Sequence, residues 1–150
     1  MSRVQLALNV SNLDEAISFY SKMFDVEPAK VRTGYANFAI ADPPLKLVLI
    51  EGGGIPGSIN HLGVEVFSVD EVTSATSRLV DLGMSTRVEE NTTCCYARQD
   101  KVWVEGPDGS KWEVYTVLAD AALDDGLGGD SRCCGGFSSK AVPESVDSCC

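Results

Sequence analysis

The sequence predicts an α+β fold in which one structural module is used twice. Three observations carry that expectation. The segments QLALNVSNLDEA from Gln5 and HLGVEVFSVDEV from His61 coincide when the chain is slid by 56 residues, the distance from Gln5 to His61. Each opens with alternating apolar residues, the period of a half-buried strand. Each then meets the same helix-start device, Asn12-x-x-Glu15 and Ser68-x-x-Glu71. In that device the first side chain accepts from the fourth residue's amide while the glutamate reaches back, so that helix-end donors are satisfied.

In the first strand Val4, Leu6, Leu8 and Val10 share a face. Leu13, Ala16, Ile17, Tyr20 and Phe24 then recur at helical spacing, which predicts an amphipathic helix over 13–24. Strands follow at about 34–41 (GYANFAIA) and 45–51 (LKLVLIE), divided by Asp42-Pro43-Pro44. The glycine-rich EGGGIPGS (51–58) lacks the strand–GxxxxGK–helix setting of a phosphate loop and reads as a hinge between modules. In the second module Leu62, Val64 and Val66 form the strand face. Val69, Val72, Ala75, Leu79 and Val80 form a helix stripe, which Gly83 terminates. Strands at about 85–89, 94–105 and 111–118 complete it, the last two joined by Gly106-Pro107-Asp108-Gly109. Beyond residue 120 the composition turns Gly-, Ser- and Asp-rich without period. This predicts a folded domain over 1–119 (modules about 1–52 and 59–119) and a flexible C-terminal tail over 120–150.

Twelve basic and 22 acidic residues among 150 give a net charge of −10. Such a chain is repelled by phosphate backbones and anionic membranes, which argues against nucleic-acid or lipid partners. No run approaches the ~18 apolar residues of a spanning helix. The start of the chain has no secretory pattern, so a cytoplasmic location is expected. The six cysteines form three adjacent pairs, Cys94–Cys95, Cys133–Cys134 and Cys149–Cys150. Neighbouring cysteines are poor staples and good two-point ligands for a soft ion.

Strand phase then separates the polar residues. Gln5, Ala7 and Asn9 face away from the helices, as do His61, Gly63 and Glu65, and Lys111, Glu113 and Tyr115. In a curled sheet with helices outside, Gln5, His61 and Glu113 all project into the concavity. Because Gln5 and His61 are repeat-equivalent, a pseudo-twofold brings them together. One imidazole, one carboxylate and one amide oxygen then offer a metal site with open positions. Each residue alone has a plainer reading: a structural histidine, a solvated edge charge, an unremarked amide. Glu65 and Asn9 share the cavity phase and are candidates to support the ligands from behind.

At this point the residues resemble the vicinal oxygen chelate superfamily over about 3–118. Its marks here are the paired modules, a candidate ligand on the first strand of each, and GPDGSKWEVY around Glu113. The resemblance implies two βαβββ modules forming a curled mixed sheet around a divalent ion held by Gln5, His61 and Glu113. The fourth ligand site of four-ligand members falls in LKLVLIE, on an apolar side chain. Within the superfamily the chain is similar to organoarsenical carbon–arsenic lyases and the cadmium-induced proteins related to them. The shared marks are NVSNLDEAISFYSKMF, NHLGVEV, TTCCYARQDKVWV and the cysteine-bearing tail. That branch implies an Fe(II)-dependent dioxygenase, with O₂ as cosubstrate, that cleaves the C–As bond of trivalent organoarsenicals. Iron would sit on Gln5, His61 and Glu113 and arsenic on Cys94 and Cys95. Arg98 and Lys101 would lower the thiols' pKa, and a loop over 92–97 would carry captured substrate toward the iron.

Two rivals stay open. A non-catalytic thiol protein binding Cd(II) or As(III) would use the same cysteines without needing the triad. A glyoxalase or thiol transferase would need a basic thiol-cofactor pocket, of which this acidic chain offers little. Module exchange in a homodimer has no readable mark.

Overall fold

The computed structural model describes residues 2–94 and 96–120, with Cys94 described by its backbone alone. Among them are eight strands and two helices in the order β1 (Arg3–Val10), α1 (Leu13–Phe24), β2 (Lys30–Arg32), β3 (Tyr35–Ile40), β4 (Leu45–Glu51), β5 (Ile59–Glu65), α2 (Val69–Asp81), β6 (Thr86–Cys94), β7 (Ala97–Glu105) and β8 (Lys111–Asp120). All strands join one curled mixed sheet, ordered β2-β3-β4-β1-β5-β8-β7-β6. The two modules are therefore βαβββ units laid side by side, with β1 antiparallel to β5 at the joint. Parallel pairs β1–β4 and β5–β8 flank that joint.

The register shows the repeat directly. Leu6 sits opposite Leu62, its own repeat-equivalent, so the pseudo-twofold passes through this pair. Gln5 then faces Gly63 and His61 faces Ala7, a long polar side chain against a small one on both sides of the axis. A side chain at Gly63 would press on Gln5 and Glu113. A Cβ there would lie 3.1 Å from Glu113 Cγ and 3.2 Å from Gln5 Nε2.

Both helices cover the convex face. Leu13, Ala16, Ile17, Tyr20 and Phe24 of α1 pack on Leu6, Leu8, Phe38, Leu47 and Leu49, burying the apolar stripe against one strand phase. Val72 and Leu79 do the same for α2. Each helix begins as its sequence requires. Asn12 Oδ1 accepts from the Glu15 amide at 3.0 Å, and Ser68 Oγ from the Glu71 amide at 3.2 Å. Glu71 reaches back to the Phe67 N–H at 3.1 Å. Gly83, at φ 73°, follows the end of α2.

Three local expectations change. The short β2 was not foreseen, because three residues carry no period. Cys94 ends β6 rather than opening the strand after it, since β6 runs on past an irregularity between Glu89 and Thr92. The glycine-rich linker is also no hinge: it is bonded back onto β1, Asn9 N–H to Ser58 C=O at 2.9 Å and Gly57 N–H to Asn9 C=O at 2.8 Å. Cys95, and the tail over 121–150 with Cys133, Cys134, Cys149 and Cys150, fall outside the described residues. Among the described residues no helix is long and apolar enough to cross a membrane.

Candidate metal centre

Three strands bring the expected residues to one point. Gln5 comes from β1, His61 from β5 and Glu113 from β8, all on the concave face and all buried. Gln5 Nε2 lies 2.7 Å from Glu113 Oε1 and 3.1 Å from His61 Nε2, and that nitrogen lies 3.3 Å from Glu113 Oε1. Three donor groups thus form a triangle with sides of 2.7, 3.1 and 3.3 Å. Ligand atoms about 2.1 Å from an octahedral cation stand about 3 Å apart along each edge, so the triangle has the size of one octahedral face.

The donor types fit a borderline divalent ion: imidazole nitrogen, carboxylate oxygen and amide oxygen. Gln5 must present oxygen for this. Its Oε1 now accepts from the Tyr115 hydroxyl. Turning the amide over gives the oxygen to the centre and the NH₂ to Tyr115, whose hydroxyl can accept as well as donate. With one histidine and one carboxylate in the set, no group of three His, Cys, Asp or Glu side chains exists among the described residues. The centre depends on the amide.

Charge is arranged around this triangle. Lys101, fully buried on β7, donates from Nζ to Glu113 Oε2 at 2.9 Å. Burial pushes the Glu113 carboxyl up, but the Lys101 ammonium and His61 more than offset it, holding it at about 2. The carboxylate is therefore ionised at neutral pH. With Oε2 occupied by Lys101, Oε1 is the oxygen left for a cation. Burial pushes the Tyr115 phenol up, with Glu65 and Glu113 adding to it, so it stays protonated and able to donate. The Trp103 ring meets the His61 ring edge-on at 5.5 Å. Trp103 Nε1 and Gln99 Oε1, on the same strand, are buried without a hydrogen-bond partner among the described residues. A bound water or ligand satisfies such atoms.

Several expectations are corrected. Lys101 pairs with Glu113, because its phase on β7 turns it into the concavity. Arg98 donates to Asn91 Oδ1 at 3.0 Å on the exposed side of the hairpin. Glu65 does not reach the triad. It is paired with Arg3 and, at 3.1 Å, with Lys46. Burial pushes its carboxyl up, and those two cations hold it below the usual carboxylate range. Asn9 does support the triad, but through Asn60, which the sequence did not single out. Lys101 and Asn60 left no sequence signal beyond strand phase, and for Asn60 the phase points the wrong way.

The β6–β7 hairpin is anchored across the face. Tyr96, at φ 66°, packs its ring on Tyr35 of β3 at 5.7 Å. Its carbonyl accepts from Lys30 Nζ at 3.2 Å, and its hydroxyl donates to Thr33 C=O at 3.4 Å. Lys30 also pairs with Asp120. The tip of the second module thus closes onto the edge of the first, beside an apolar wall of Ala7, Tyr35, Val48 and Ile50. The side chains of Cys94 and Cys95 lie outside this description.

Comparison with known proteins accords with the geometry. The chain is 58% identical over 138 residues to a trivalent organoarsenical cleaving enzyme of Thermomonospora curvata, covering 89% of each chain. It is also 58% identical over 144 residues to the cadmium-induced protein CadI of Mycobacterium tuberculosis, covering 91% of this chain and 95% of the relative. Among solved structures, the 2,3-dioxygenase LapB of Pseudomonas sp. KL28 shares the fold at TM-score 0.61 and 19% identity, over 79% of this chain and 42% of that one. The Mn(II)-bound glyoxalase of Novosphingobium aromaticivorans does so at 0.57 and 18%, over 85% and 44%. The family model described as the Glyoxalase/Bleomycin resistance protein/Dioxygenase superfamily matches residues 3–114, and the chain, with its paired modules and concave three-residue centre, belongs to that superfamily.

Proposed function

We propose that this chain is a non-haem Fe(II) dioxygenase that cleaves the carbon–arsenic bond of trivalent organoarsenicals and releases arsenite. The observation that carries the proposal is the convergence of Gln5, His61 and Glu113 within 3.3 Å of one another on the concave face. The 58% identity to an enzyme named for organoarsenical cleavage supports it. A metal-free binding protein has no need of that convergence.

Gln5, His61 and Glu113 would hold the ion. Bound there, Fe(II) supplies dioxygen activation, which no side chain of this chain provides. Lys101 keeps Glu113 ionised and fixes which oxygen it presents. Val48, at the register position on β4 equivalent to Glu113, would offer no fourth protein ligand and would leave the remaining positions to small molecules. Cys94 and Cys95 would replace the two hydroxyls of methylarsenite, which leaves the organic group as the sole other substituent on arsenic. Tyr35, Val48, Ile50 and Tyr96 form an apolar wall suited to a methyl or aryl group. The balance closes without an added reductant: CH₃As(OH)₂ + O₂ gives CH₂O + As(OH)₃.

The test is anaerobic Fe(II) loading followed by methylarsenite and air. Equal yields of arsenite and formaldehyde, with one O₂ consumed per arsenite, are expected; arsenical binding without O₂ uptake would reject the proposal. The second reading, a thiol protein that sequesters Cd(II) or As(III), is favoured by the equal identity to the cadmium-induced relative. It requires metal binding that survives loss of His61 and depends on cysteine alone.

A further inference from the structure

The single histidine of the chain is oriented by a line of side-chain hydrogen bonds whose direction is set at its far end. The Ser58 hydroxyl donates to the Ile55 carbonyl at 2.6 Å, which leaves its oxygen to accept from Asn9 Nδ2 at 2.9 Å. With its NH₂ so placed, Asn9 turns Oδ1 toward Asn60 and accepts from Asn60 Nδ2 at 2.9 Å. Asn60 Nδ2 also donates to the Gly53 carbonyl at 3.3 Å. Both N–H directions of Asn60 are thereby committed, and its Oδ1 faces His61 Nδ1 at 2.8 Å. An oxygen acceptor at that distance calls for a proton on Nδ1. In the neutral ring the lone pair then lies on Nε2, the nitrogen that points at Gln5 and Glu113.

Backbone geometry is built around this line. Ala7 pairs with His61 and Leu8 with Ile59, so Asn60 is the extra residue of a bulge in β5. Strand phase alone would send Asn60 to the helix side; the bulge turns it toward Asn9. The glycine-rich linker closes over the two amides. A Cβ on Gly53 would lie 2.9 Å from Asn9 Oδ1, and one on Gly54 would lie 2.8 Å from Asn9 Nδ2.

We propose that Asn60, held by Asn9, Ser58 and the Gly53 carbonyl, is a positioning residue that fixes His61 as the Nδ1–H tautomer and so keeps Nε2 free to bind a metal. The inference rests on the metal-centre reading for its purpose, but its physical content is a property of the metal-free chain. Outer partners of ligating histidines typically govern affinity by about 10–100-fold.

The experiment is ¹⁵N–¹H correlation of the imidazole in metal-free protein, at a pH where the ring is neutral. One histidine gives one unambiguous pair of nitrogens. The parent is expected to show a protonated Nδ1 and an unprotonated Nε2. Asn60→Leu should move the ring toward Nε2–H, which can donate to Glu113, and weaken Ni(II) binding by about 10–100-fold. Asn60→Asp keeps an oxygen acceptor against His61 Nδ1 and should keep the Nδ1–H tautomer. Asn9→Ala and Ser58→Ala, which leave Asn60 in place but release its amide, should give intermediate mixtures and carry the test if Asn60→Leu does not fold. A parent ring protonated on Nε2, or an unchanged tautomer in folded Asn60→Leu, overturns the proposal. The expected tautomers together with no Ni(II) binding by any variant would instead sink the metal-centre reading and leave the orienting line standing.

Discussion

The two halves of the concave face share a backbone and differ in chemistry. On one side of the joint Gly63 pairs with Glu113 of β8, which neighbours Trp103 of β7. On the other side the repeat-equivalent Ala7 pairs with Val48 of β4, which neighbours Asn37 of β3. Val48 therefore occupies the place of Glu113, Ile50 that of Tyr115 and Tyr35 that of Lys101. Duplication made the geometry twice, and the side chains then divided the work. The second module supplies the carboxylate, its lysine and the imidazole. The first supplies one amide and an apolar wall. The centre is lopsided because β1 and β5 each carry a donor, Gln5 and His61, whereas of β4 and β8 only β8 does.

Removing the donor at the heart of the charged half should have the largest effect. His61→Ala is expected to abolish arsenite and formaldehyde release and stoichiometric Ni(II) binding, while thiol-dependent arsenical binding persists; isothermal titration and product assays read all three. Retained turnover would break the assignment of the two halves.

Next is the buried pair that keeps that half ionised. Lys101→Met leaves Glu113 buried without its cation, and urea denaturation of the metal-free protein at pH 7 should show a loss of about 3 kcal/mol. The sign follows from linkage. Glu113 is held at about 2 against an ordinary value of 4.5, so its contribution is present above 4.5 and is lost as pH falls toward 2. The difference between parent and variant should shrink across that window. A pH-independent difference would mean that lost packing, not charge, is the cause.

The comparison can also be sharpened by making the halves alike. Val48→Glu restores a carboxylate at the equivalent position. It is expected to tighten Ni(II) binding about tenfold, equivalent to about 1.4 kcal/mol, and to slow O₂-dependent cleavage by filling a position meant for small molecules. Unaltered affinity would show that β4 does not face the centre as β8 does.

The smallest effects test the repeat itself. Asn12→Ala and Ser68→Ala each remove one helix cap and should each cost about 1 kcal/mol, by thermal or urea unfolding. The Ser68 change should be the more costly, since Glu71 also loses its bond to that hydroxyl.

Much of this was legible because it is local. The apolar spacing over 13–24 marks α1 from end to end, and the two caps mark both helix starts to the residue. Alternation in three strands put Gln5, His61 and Glu113 on one face, since a strand's side-chain phase is set by its own backbone. The repeat added that the first two would meet. The edges of this legibility are equally local. β2 is too short to show a period, and an irregularity in β6 carried that strand on to Cys94, where the spacing opens the next one.

What the sequence determined by itself was therefore phase and capping: which face each side chain takes, and where each helix begins. Tertiary structure alone decided who stands behind the triad. Lys101 reaches Glu113 because β7 lies beside β8, and Asn60 reaches His61 because a bulge reverses its phase and a folded-back linker holds its amide. The contacts of Lys101 with Glu113 and of Asn9 with Asn60 join segments whose register is fixed only when the whole sheet closes, and a one-residue slip in that register turns every side chain to the opposite face.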